Sequence, residues 1–91
     1  MSKEEYDILF NEILKLNSLE ECRLFFDDLC TYNELDSMTD RIKAAKLLLN
    51  GKTYTEVQDN IKISSATLSR VSKCIKYGEG GYKSILEKEK K

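Results

Sequence analysis

Residues 51–77, GKTYTEVQDNIKISSATLSRVSKCIKY, decide the fold. They read as two short amphipathic helices around a tight turn, a helix-turn-helix. Val57, Ile61, Ile63, Leu68 and Val71 are spaced so that two steeply crossing helices can share one small core. Thr53 with Glu56 forms a capping box for the first helix, and Ser64 can cap the second. The expected solvent face of the second helix carries Ser65, Ala66, Ser69, Ser72, Lys73 and Lys76. Such short polar groups can approach base edges, while the longer cations can reach phosphates. Two features need accommodation. Lys62 stands in the turn where a glycine is usual, at a modest expected backbone cost, and Gln58 stands at the crossing where a small residue is common and is expected to snorkel. Caps and periodicity specify helices rather than a groove, so plain packing of two helices in a small domain is the competing reading.

Outward from this segment, the charge is polarised. Residues 1–50 carry 6 Lys+Arg against 11 Asp+Glu, a net of −5, and residues 51–91 carry 9 against 5, a net of +4. The helix-turn-helix segment holds five basic residues, Lys52, Lys62, Arg70, Lys73 and Lys76, against Glu56 and Asp59. A dimer would double that positive field on one face, and the acidic half would discourage indiscriminate binding.

With 91 residues the chain is expected to be a single domain, with a helical dimerisation core over 1–50, the helix-turn-helix over 51–77 and a C-terminal turn and short helix over 78–91. Four S/T-x-x-E pairs, Ser2 with Glu5, Ser18 with Glu21, Thr31 with Glu34 and Thr53 with Glu56, mark helix starts. They predict helices at 3–16, 19–30, 32–50, 54–61 and 65–77. Glycines 78, 80 and 81 allow a turn before a last helix at about 82–89, with residues 87–91 frayed. No strand pattern is present, so the fold class is all-α.

The first helices are apolar for so small a domain. Tyr6, Leu9, Phe10, Ile13, Leu14 and Leu16 line one, and Leu19, Cys22, Phe25, Phe26 and Leu29 line the next. In the third, Leu35, Met38, Ile42, Ala45 and Leu49 recur at alternating spacings of three and four. A chain of this length buries only roughly 60 to 65% of the surface its unfolded form exposes. One monomer therefore has too little interior for all these faces, and an interlocked helical homodimer is expected.

Cys22, Cys30 and Cys74 are odd in number and lack CxxC spacing, so reduced packing thiols are expected. There is no histidine, and no metal site or cofactor is expected. No stretch approaches a membrane span, and residues 1–16 carry acidic residues where a signal peptide would be basic and then apolar. A cytoplasmic protein with no membrane partner follows. No GxGxxG, P-loop, GxSxG or Cys/His pair is present, so an enzyme is not expected.

Residues 29–76, LCTYNELDSMTDRIKAAKLLLNGKTYTEVQDNIKISSATLSRVSKCIK, resemble the Trp repressor superfamily, specifically its Trp-repressor-related YerC/YecD group. The resemblance implies an all-helical, Trp-repressor-like intertwined dimer whose two helix-turn-helix heads read successive major grooves of double-stranded DNA, and hence a transcriptional regulator, a repressor by kinship. The residues expected at DNA are Lys52, Thr53, Ser64, Ser65, Ala66, Thr67, Ser69, Arg70, Ser72, Lys73 and Lys76. The alternative is a helical protein-interaction module that does not read DNA.

In that superfamily a corepressor amino acid lies between the helix-turn-helix and the dimer core, held by threonine, arginines and backbone groups. Thr31, Arg41, Thr67 and Arg70 match those motif positions. An arginine can hold a carboxylate bidentately and another can stack on an aromatic ring. The same residues also have a structural reading, with Arg70 on a phosphate and Arg41 paired with Asp36 or Asp40. Two departures stand out. The glycine that follows the second arginine is here Val71, whose side chain would occupy space near the indole slot, so L-tryptophan is not the expected ligand. Glu56 and Asp59 replace basic residues of the first motif helix, which shifts phosphate binding toward Lys52, Thr53 and the second helix.

Overall fold

The computed structural model describes residues 1–89 and is helical, with no strand among them. The helices are α1 (Lys3–Ile13), α2 (Leu19–Leu29), α3 (Tyr32–Leu49), α4 (Tyr54–Asn60), α5 (Ser65–Tyr77) and α6 (Gly81–Leu86), followed by a 3-10 turn at Glu87–Glu89. The fraying expected for 87–91 falls partly on residues 90 and 91, outside the described residues. No helix among the described residues is long and apolar enough to cross a membrane. The chain divides into two compact units, one ending at Tyr32 and one beginning at Asn33.

In the first unit, Ser2 and Glu5 form the complete reciprocal box. At the second box the pairing slips. Ser18 Oγ accepts the Glu21 N–H at 3.1 Å, but the Glu21 carboxylate accepts the N–H of Asn17, at 2.8 Å, instead of that of Ser18. Helix α1 stops at Ile13 rather than 16. The amides of Lys15 and Leu16 turn back to the carbonyls of Glu12 and Ile13, the tighter i to i−3 pattern that satisfies a helix end before the next cap. Phe25 and Phe26 meet edge to face, with ring centroids 5.7 Å apart. Neither α1 nor α2 contains a buried residue, and Ile8, Phe10, Leu14, Leu19 and Leu24 are each more than half exposed.

The second unit holds the core. Ala44 of α3, Val57 of α4 and Leu68 of α5 are fully buried together, with Leu47, Leu48, Ile61 and Ile63 packed around them. Each of these larger side chains removes enough apolar surface from water to contribute about 1.5 to 3 kcal/mol. Ala45 and Val71 are buried as well. Helix α3 therefore has two apolar faces. The stripe predicted from its periodicity contributes Ala45 to the interior, whereas Ile42, on the same stripe, is 44% exposed; the face that closes on α4 and α5 is Ala44, Leu47 and Leu48.

Helix α3 ends in a Schellman motif: the Lys52 N–H bonds the Leu47 carbonyl and the Gly51 N–H the Leu48 carbonyl, both at 3.0 Å. Gly51 sits at φ +88°, where a side chain would be strained. The Thr53–Glu56 box at α4 is complete. Between α4 and α5 no residue takes positive φ, so Lys62 is not strained, contrary to expectation. Extended backbone at Ile61 and Ser64 makes the turn instead.

Candidate nucleic-acid interface

Ser64 starts α5. Its Oγ accepts the Thr67 N–H at 3.1 Å and donates to Thr67 Oγ1 at 2.9 Å, so cap and first-turn hydroxyl fix one another. Leu68, Val71 and Ser72 are the buried residues of α5. They set the helix's rotation and leave Ser65, Ala66, Arg70, Lys73 and Lys76 exposed, with Thr67 and Ser69 half-buried.

Ser72 differs from the helical-wheel expectation. It is 5% exposed and lies inward beside Val71, because the buried stripe of α5 is wide enough to include a small hydroxyl. It is not on the solvent face with Ser65 and Lys73.

Ser72 instead lines a pocket of about 270 Å3 together with Leu48 of α3, Lys52, Tyr54 of α4, and Ile75 and Lys76 of α5. Two candidate phosphate-binding lysines from different elements are thus brought to one place. Tyr54, Leu48 and Ile75 were not singled out in the sequence; the spacing of 72, 75 and 76 on one helix face is the signal that groups the α5 members.

Across the turn, Gln58 does more than snorkel. Its Nε2 donates to Ser65 Oγ at 3.2 Å, tying α4 to the first residue of α5. Glu56, one of the two acidic residues here, is fixed by Thr53, whose N–H it accepts at 2.9 Å. The Thr53 backbone N–H, and then its hydroxyl, hold the Glu56 carboxyl below its ordinary value, with Lys52 adding a smaller effect in the same direction.

Of the possible effector residues, Arg41 and Thr67 come together. They line an open pocket of about 190 Å3 with Ser37, Asp40, Lys62, Ile63 and Ser64. Arg70 is exposed and Val71 is 2% exposed, and neither lines that pocket. Thr31 belongs to the first unit. Among the described residues Arg41 forms no ion pair with Asp36 or Asp40.

Comparison with known proteins places this architecture. The pattern of the family described as Trp repressor protein matches residues 4–90. A relative named uncharacterized protein YerC, from Bacillus subtilis (strain 168), is 46% identical over 87 residues, spanning 96% of this chain and 84% of the relative. Among solved structures, a candidate Trp repressor from Staphylococcus aureus superposes with a TM-score of 0.92 at 39% identity, over 98% of this chain and 89% of the other. A TrpR-like protein from Eubacterium eligens ATCC 27750 gives 0.89 at 37%, over 96% and 90%. With a helix-turn-helix packed on α3 and likeness running along nearly its whole length, the chain belongs to the Trp repressor family.

Proposed function

We propose that this chain is a sequence-specific DNA-binding transcriptional regulator, acting as a homodimer that lays α5 in the major groove, and that by kinship it represses. The observation that carries the reading is the outer face of α5. Arg70, Lys73 and Lys76 are exposed on the same helix whose first residues, Ser65 and Ala66, are short enough for base edges. Lys52 joins Lys76 at one pocket beside it, where two ammonium groups suit a phosphate. The buried Ser72 is left out of the proposed DNA contacts. Thr53, Ser64, Thr67 and Ser69 remain at the margin of this surface, the first two engaged chiefly in capping.

The dimer half of the proposal is supported by α1 and α2, whose apolar side chains are unburied in the single chain. Two heads of such a dimer would address half-sites about one helical turn, roughly 34 Å, apart. For the effector, L-tryptophan is not proposed, because Val71 fills interior space next to the arginine that would face it. Arg41 and Thr67 mark where a smaller ligand would sit.

Titrating a fluorescent duplex with the protein at increasing salt tests the reading. Regulator behaviour predicts that the logarithm of the binding constant falls linearly with the logarithm of salt concentration, by several units in slope. A protein that ignores duplex DNA at low salt would be the helical interaction module instead.

A further inference from the structure

We propose that Gln58 is a base-reading residue of this interface, held in position by Ser65, and that its carboxamide selects adenine at one position of each half-site. The inference rests on α5 being the major-groove helix and adds a specificity determinant on α4 to it. Gln58 is exposed, yet its Nε2 is bonded to Ser65 Oγ at 3.2 Å. Unlike the Thr53–Glu56 and Ser64–Thr67 caps, which act within a single helix start, this bond joins two helices at their crossing. Ser65 is the first residue of α5, and in a helix-turn-helix the N-terminal residues of the second helix are the ones that meet base edges.

The chemistry left over at Gln58 is specific. A carboxamide has two N–H donors and one carbonyl acceptor. The inference requires Ser65 to take the N–H anti to Oε1, which leaves the syn N–H and Oε1 side by side as donor and acceptor, the complement of adenine N7 and N6 in the major groove. A free glutamine would lose its rotamer freedom on binding; here the bond to Ser65 has already restricted it, so less is lost when a base is met. The neighbourhood favours a base over a phosphate as the partner. Gln58 is neutral, and the exposed carboxylates Glu56 and Asp59 on the same short helix repel the DNA backbone. Ser65, accepting from Gln58, keeps its own hydroxyl hydrogen to donate.

The test is selection of bound duplexes from a randomised pool, run with the wild type, Gln58→Ala, Gln58→Glu and Ser65→Ala, with salt slopes measured on the enriched site. The wild type should enrich sites with adenine fixed at one symmetric pair of positions. In Gln58→Ala the preference there should fall by about tenfold per half-site, other positions and the salt slope being retained. Gln58→Glu, which can only accept, should bind more weakly and turn the preference toward cytosine, whose N4 amino group donates. Ser65→Ala should blur the adenine preference by a smaller factor. If the Gln58→Ala protein instead melts lower and binds every site equally less well, the bond is a staple between helices and the inference is overturned. Enriched wild-type sites with no position sensitive to Gln58 overturn it alone, whereas a wild type that enriches no duplex overturns the DNA-binding reading with it.

Discussion

Thr53 and Glu56 show how much a single pair can set. Two reciprocal hydrogen bonds between them start α4, and the Thr53 backbone N–H, with its hydroxyl second, holds the Glu56 carboxyl below its ordinary 4.5. Since the folded carboxyl titrates lower than the unfolded one, the cap's contribution is complete above 4.5 and is lost as pH falls through the lower folded value. Thermal melts should therefore show wild type and Glu56→Gln drawing together in acid, and a gap independent of pH would contradict the assignment. Thr53→Ala should cost about 1 kcal/mol by chemical denaturation. Val71 makes the second prediction at this scale. L-tryptophan titrated calorimetrically should bind the wild type weakly or not at all, and micromolar binding would refute the occlusion. Val71→Gly is the partner experiment, expected to lose about 3 kcal/mol of stability from lost burial and helix propensity while opening space for the indole. The capping pairs were legible in the sequence because they are local, three residues apart. The burial of Ser72 and the bond from Gln58 to Ser65 were not, because each depends on how far α5 is rotated against α4, which no spacing within one helix records.

Among the elements, α5 carries the charge that should touch DNA. Lys73→Ala and Lys76→Ala should each weaken binding to all sequences alike and make the salt slope shallower by about one unit. Unchanged slopes in both variants would remove α5 from the phosphates. The start of α4 and the full span of α5 follow from their caps and flanking glycine, since hydroxyls and carboxylates act over a single turn, and Gly51 at φ +88° closes α3 in the same local way. Gly51→Ala should accordingly destabilise by about 1 to 2 kcal/mol through strain alone, because nothing stands within 4 Å of the added Cβ. The end of α1 and the second face of α3 were harder to read. A helix terminus that tightens to i−3 bonds has no residue signature, and Ala44, with one methyl group, gives little hint that it is fully buried in the core against Val57 and Leu68.

For the whole molecule, the exposed apolar side chains of α1 and α2 are the dominant fact. Stable monomers rarely expose large contiguous apolar area, and these helices have no buried residue of their own, which is what the proposed dimer would cover. Replacing Phe25 or Ile42 with a charged residue should abolish folding and association together, as judged by circular dichroism and light scattering; a folded monomer would show that those faces are not the interface. The apolar excess was plain from composition and periodicity, whereas the division of one chain into two compact units was not, since no proline, glycine run or change in polarity marks Tyr32. The most direct measurement is sedimentation equilibrium of the protein alone and with a duplex in low salt. A dimeric regulator predicts a species of twice the 10.5 kDa chain mass that joins the duplex as a unit and leaves it as salt rises. A stable single-chain species at micromolar concentration, or a dimer that never co-sediments with DNA, would contradict it.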